Sequence, residues 1–227
     1  MSEPSEAVRT LGLSALTCPR QLASVQFGPS ILLLALLLRV QDRRVHTDPY
    51  PRWEYFPRNV RPPEWVEPFV AEVRAIEPRI STVEQRTGLH SDDVLLELAP
   101  GLRDLGYAVE SSRSQADRIR RPVLFGSNGR AEVSYDIDAF HDAYGIVVEV
   151  EAGRAASNNA TYRDIIRASL ILDATCLVLL LPMAYRFNNR GQQASVPVFA
   201  RGLDLLSALY ASQRLPLPLR GVLLVGY

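Results

Sequence analysis

Residues 133–151 read Val133-Ser134-Tyr135-Asp136-Ile137-Asp138-Ala139-Phe140-His141, then Asp142-Ala143-Tyr144-Gly145, then Ile146-Val147-Val148-Glu149-Val150-Glu151. Two β-rich runs flank a four-residue turn with glycine at its end, a pattern that predicts antiparallel neighbouring strands. Side chains at i and i+2 share a face of a strand. Asp136 and Asp138 therefore share one face while Tyr135 and Ile137 share the other, and Glu149 and Glu151 oppose Val148 and Val150. Pairing through the turn sets Ile146 near His141, so Glu149 falls roughly opposite Asp138 and Glu151 opposite Asp136. Four carboxylates are expected on one patch of sheet.

Opposed like charges destabilise a sheet, so something must compensate them. One arrangement is a solvated face with the acids in water or paired with Arg130, Arg154 or Arg163. The other is a divalent cation: hard oxygen donors without nearby cysteine or histidine suit Mg²⁺ or Mn²⁺. The acids interrupt a valine-rich strand of buried character and precede a Gly153-Arg154 turn and a polar helix start, which favours the cation.

Outward from this stretch, the remaining elements follow from periodicity. Val66, Phe69, Val70, Val73 and Ile76 recur at helical spacing, and Pro78 ends or kinks that helix. Ser91-Asp92-Asp93 starts a second helix with Ser91 as N-cap, Val94, Leu95, Leu98, Leu102 and Leu105 as its apolar stripe, and Gly106 as its stop. Tyr107–Ser111 reads as a short strand. Val123–Phe125, the Asn128-Gly129 turn and a return strand over Ala131–His141 read as a hairpin. A helix capped by Ser157 or Asn158 runs to about Leu172. Cys176–Leu181, a continuous apolar run, reads as a strand buried on both faces. A polar loop over Arg186–Ser195, a helix near Arg201–Ser212 and a strand over Val222–Val225 complete the chain.

The fold class expected is therefore α/β with a mixed central sheet flanked by helices. A dinucleotide-binding reading fails because no G-x-G-x-x-G joins a strand to a helix. Residues 1–41 read as an N-terminal extension that is either not native or disordered, with at most a short buried helix. Residues 42–90 are a proline-rich connector and helix, 91–185 the core, and 186–227 a loop, helix and strand packing on it. The apolar run Ile31–Leu38 is far short of the ~20 residues that span a bilayer, and arginines follow it directly, so no stable membrane association is expected.

Composition closes off several chemistries. Of 227 residues, 25 are basic and 25 acidic, and every basic residue is arginine. A chain without lysine has no P-loop lysine, no Schiff-base lysine and no lysine–serine dyad. Net neutrality argues against coating nucleic acid by bulk charge. Cys18 and Cys176 form no disulfide or thiolate-zinc pattern, so a reducing cytoplasm is the expected compartment.

Residues 91–185, with the element order helix, three-strand meander, helix, strand, resemble the core of the PD-(D/E)XK nuclease superfamily, a restriction-endonuclease-like αβββαβ arrangement. Asp138, ten intervening residues and Glu149-Val150-Glu151 fit the spacing of its signature, with Ile137 in place of the proline and Glu151 in the lysine position. Some type II restriction endonucleases are similar, with glutamate or glutamine there. The resemblance implies a divalent-metal-dependent endonuclease hydrolysing phosphodiester bonds of DNA; the alternative is a non-catalytic module on the same fold that binds nucleic acid or a protein. It implies that Asp138 and Glu149 are metal ligands and that Glu151 is a further ligand or a general base. Asp136 would support them, as a group bonded to a ligand or as an outer-sphere ligand of the metal. Glu97 is the candidate acid from the first core helix, or a surface glutamate. Arg113, Arg118, Arg120 and Arg121 would contact phosphate or serve solubility. Arg154, Asn159 and Arg163 would reach a phosphate or orient the acids. A homodimer would suit duplex cutting.

Overall fold

The computed structural model describes residues 50–83, 89–111, 117–153, 159–189, 191–212 and 214–227. The run Ile31–Leu38, the extension 1–41, Arg113, Arg154, Ser157 and Asn158 lie outside them.

Strand β1 (Arg52–Phe56) comes first, followed by helix α1 (Val66–Ala75) and the single turn α2 (Glu77–Ile80). Helix α3 (Ser91–Asp104) leads into β2 (Ala108–Val109), and β3 (Ile119–Phe125) forms a hairpin with β4 (Ala131–Ile137). Then follow β5 (Ala139–His141), β6 (Ile146–Val150), α4 (Ala160–Leu170), β7 (Cys176–Leu181), the hairpin β8 (Tyr185–Asn189) and β9 (Gln192–Val196), α5 (Val198–Ser212) and β10 (Gly221–Gly226).

Six strands form one mixed sheet in the order β1-β10-β7-β6-β5-β2. Its centre, β6-β7-β10, is parallel, and its edges are antiparallel. The α/β class expected from the sequence is what the chain adopts. Two crossovers, through α4 and through α5, explain the parallel centre, because parallel neighbours need a long connection that returns to the same sheet end. Covered on both faces, β7 and β10 are buried at every residue, as continuous apolar runs require. On one face Phe69, Val73, Val94, Leu98 and Leu102 pack against Val148, Val178, Leu180, Leu223 and Val225. On the other, Ile165, Ala168, Phe199 and Leu206 pack against Val147, Leu177, Leu179, Val222 and Leu224.

Four local expectations need correction. The proline-rich stretch contains β1, which lies between Pro51 and Pro57 and pairs with β10, Tyr55 opposite Leu223. An edge strand tolerates flanking prolines because only one of its sides enters the ladder. The polar segment 186–195 is largely the exposed hairpin β8–β9 and not a loop. Ser91 is the first residue of α3, whose N-cap is His90 without a side-chain hydrogen bond.

The fourth correction concerns the strand expected over 131–141, which breaks at Asp138. Its first part, β4, leaves the sheet and pairs only with β3 in a separate ribbon. The cause is a side chain. In the register Ala139 opposite Val148, the Val150 N–H faces the position of Ile137. It donates instead to the Asp138 carboxylate, Oδ2, at 2.6 Å, which ends the ladder there. The Asp138 carbonyl accepts from the Glu110 N–H at 2.9 Å, so the bend is held from both sides.

Candidate functional site: a buried carboxylate cluster

The register at the 142–145 turn is the one the sequence predicts, His141 opposite Ile146. Continued by one residue beyond Ala139–Val148, it brings Asp138 beside Glu149. On β6, Val147 points to the layer of α4 and α5, and by the two-residue period Glu149 and Glu151 point there too. Glu149 and Glu151 are 6% and 7% exposed. From α4, Asp164 enters the same space with no exposure at all.

The interactions are unevenly shared. Arg163 Nη2 lies 2.9 Å from Glu151 Oε1 and 3.1 Å from Asp164 Oδ1. Arg167 Nη1 stands farther off, 4.0 Å from Asp164. Glu149 Oε1 and Asp164 Oδ2 are buried with no hydrogen-bond partner. Leaving buried acceptors unmet is costly, on the order of 1–3 kcal/mol each and more when charged. Two such atoms in one acidic cluster are acceptors that a hard cation would satisfy. The donor set, all carboxylate oxygen, fits Mg²⁺ or Mn²⁺. Among the described residues, no group of three or more histidine, cysteine, aspartate and glutamate side chains is poised as it stands to hold a metal ion.

Asp138 opens to solvent through a cavity of about 230 Å³ lined by Asp92, Asp93, Leu95, Leu96, Glu110, Ser111 and Asp138 itself. The acids that α3 brings to this mouth are Asp92 and Asp93. Glu97, the candidate from the sequence, is turned to α2 and paired with Arg79. Asp136 also stands apart: Arg118 and Arg120 each hold one of its oxygens at 2.9 Å. The expected four-acid patch is thus three strand acids plus Asp164 from the helix. Arg118 and Arg120 are committed to Asp136. Arg121 bridges Asp142 and Asp173 and lies over the Phe140 ring, 3.7 Å from its centroid. Asn159 is exposed at the N-terminus of α4 in the left-handed conformation, its side chain capping nothing.

Asp164 is the member that the candidate set read from the sequence lacks. Its signal was positional. Thr161, Asp164, Ile165 and Ala168 form one helical face, and an acid on an otherwise inward face has to meet something buried.

Compared with family models, curated proteins and solved structures, the chain matches none of them.

Loss of water around the carboxyls sets the electrostatics. Burial pushes Asp138 up to about 7, opposed by the Val150 N–H and reinforced by Glu110 and Asp164. Burial, then the charge of Asp164 and a hydrogen bond with it, lift Glu151 to about 8 despite Arg163. Glu149 is raised by burial and by Asp138 and Asp164. Carboxyls raised in the folded state bind more protons there than in the unfolded chain, so stability falls as pH rises. Their contribution is complete below about 4, the unfolded value, and is lost through 7 and 8. Asp136, lowered by its hydrogen bond from Arg120, acts with opposite sign but only in acid. We expect the urea midpoint of metal-free protein to be higher at pH 5 than at pH 8, and Mg²⁺ to narrow the gap. A midpoint that stays level or climbs over that range would refute this electrostatic picture.

Proposed function

We propose that this protein is a divalent-metal-dependent nuclease that hydrolyses phosphodiester bonds of DNA. The observation that carries the reading is Asp138, just before β5, lying beside Glu149 of β6, with buried, unpartnered carboxylate oxygen in the same cluster. Further support is the order α3, β2, β3, the bent β4–β5, β6, α4, β7, which follows the αβββαβ pattern of the resemblance once β3, a partner of β4 outside the six-stranded sheet, is set aside.

In this reading Asp138 and Glu149 hold the cation, with Asp164 or Glu151 completing the set. Bound there, a divalent cation supplies Lewis-acid stabilisation of phosphate oxygen and a water of lowered pKa. The chain does the rest. The Val150 N–H fixes the Asp138 carboxylate by one oxygen and leaves the other for the cation. Glu151 is the proton acceptor, its carboxyl paired with Arg163 while the site holds no cation. The cavity between Asp92, Glu110 and Asp138 gives solvent and substrate their way in. The phosphates need cationic contact to approach so many acids, and Arg118 and Arg120, exposed although paired with Asp136, are proposed to supply it.

A non-catalytic module is favoured by one observation, the Arg163–Glu151 pair, which ties up the acid assigned to proton transfer. Incubation of plasmid and linear DNA with Mg²⁺ or Mn²⁺ separates the two. The nuclease reading expects cleavage that stops in EDTA and falls at least about 100-fold in Asp138→Ala, the scale of lost metal ligation. Absence of cleavage with every DNA form and divalent cation tried leaves the non-catalytic module.

A further inference from the structure

The four acids Asp138, Glu149, Glu151 and Asp164 face two arginines, and the two are held differently. Arg167 is three-quarters buried, bonded to the Asp136 carbonyl and stacked over Tyr135, 5.3 Å from the ring centroid. Arg163 reaches in from the solvent side, its side chain 56% exposed, and among the described residues its polar contacts are Glu151 and Asp164. Withdrawing such a side chain returns a half-exposed guanidinium to water, and the buried Glu151 and Asp164 carboxylates it leaves then need another cation in its place. Its planar guanidinium satisfies the outer oxygens, Glu151 Oε1 and Asp164 Oδ1, and leaves the deeper Glu149 Oε1 and Asp164 Oδ2 unmet. A small divalent ion would reach the deeper oxygens that a fork-shaped cation leaves unmet.

We propose that Arg163 is a built-in counter-cation: it occupies the Glu151–Asp164 end of the cluster in the metal-free protein and leaves it when a divalent cation enters. This rests on the reading of the cluster as a metal centre. Arg163 and the ion compete for the same two carboxylates, so the arginine sets the cation concentration at which the site fills. It also keeps the empty cluster from unfolding the helix–sheet contact by mutual repulsion. Departure of Arg163 frees Glu151 and delivers one positive charge to the rim of the site, where an anionic substrate approaches. The same residue thereby guards the acids when the site is empty and serves the phosphate when it is full.

Calorimetry with MnCl₂ on full-length wild type, Arg163→Gln and Arg163→Lys tests this directly. Removing the competitor is expected to tighten Mn²⁺ binding about tenfold, the scale of one charge-assisted hydrogen-bonding pair. Arg163→Lys keeps the charge and is expected to stay near wild type. Melting curves give a second readout: Arg163→Gln should melt lower than wild type in EDTA, with the difference shrinking in saturating Mn²⁺. If wild type binds Mn²⁺ and Arg163→Gln binds it equally or more weakly, the competition is overturned while the metal centre stands. If neither wild type nor Arg163→Gln binds Mn²⁺, with or without DNA, the metal reading itself falls.

Discussion

Glu149→Gln is expected to abolish divalent-cation binding and, at the same time, to stabilise the metal-free protein at pH 8. Glu149 sits on β6 between the two buried faces, 6% exposed, with one oxygen that no donor reaches. Its carboxyl is raised by burial and by the neighbouring Asp138 and Asp164 charges, so its ionised form is a cost the fold carries. Glutamine has the same shape, carries no charge, and its amide donates hydrogen bonds into a cluster that is short of donors. Removing an unmet buried acceptor should therefore stabilise by about 1–3 kcal/mol. In the proposed reading the cost of this buried acid is offset by ligation of a cation, which glutamine cannot supply. Mn²⁺ affinity should fall at least about 100-fold, above what loss of a metal ligand's outer hydrogen-bond partners costs. Urea unfolding in EDTA at pH 8 and MnCl₂ titration of the same samples read both effects. A variant that is less stable than wild type and still binds Mn²⁺ would make Glu149 a packing residue.

Much of this site is legible in the chain because two short-range rules place it. The two-residue period of a strand and the length of the 142–145 turn suffice to bring Asp138 beside Glu149, and the observed His141–Ile146 pairing follows from them. The same holds for β7 and β10, whose unbroken apolar runs admit little but a strand covered on both faces. What was not legible depends on partners distant in sequence. Asp136 is drawn from the patch by Arg120 of β3 and by Arg118 just before it, which the β3–β4 pairing brings alongside. The bend at Asp138 arises from its own side chain capturing the Val150 N–H, a tertiary hydrogen bond that strand propensity does not encode. Asp164 reaches the cluster only once α4 docks on the sheet. Strand β1, five residues between prolines, gains its stability from pairing with a β10 that lies at the other end of the chain.

Gly145→Ala is expected to destabilise the fold by about 3 kcal/mol, the largest loss we expect from so small a change. Gly145 closes the turn that sets the β5–β6 register and holds φ +62°, a conformation that costs an L-residue about 1 kcal/mol. The second part is steric. A Cβ there would stand 2.5 Å from the Asp173 carbonyl oxygen and 3.1 Å from Thr175, and backbone oxygen cannot swing aside as a side-chain tip can. The Gly145 carbonyl also accepts from Thr175 N at 2.7 Å and Cys176 N at 3.1 Å, so relief of the clash pulls on the start of β7. Gly129 supplies the control: φ is +68° but nothing lies within 4 Å of its added Cβ, so Gly129→Ala should cost only the conformational part. For a chain of this size the Gly145 variant should melt roughly 6–12 °C below wild type. Equal losses in the two variants would show that the turn yields and that the close approach to Asp173 carries no weight. The site gives a further check, since Asp138 and Glu149 are held beside each other by this turn. Strain that shifts the register separates them, and Mn²⁺ affinity should weaken in Gly145→Ala while Gly129→Ala, at the tip of the β3–β4 ribbon, leaves it unchanged.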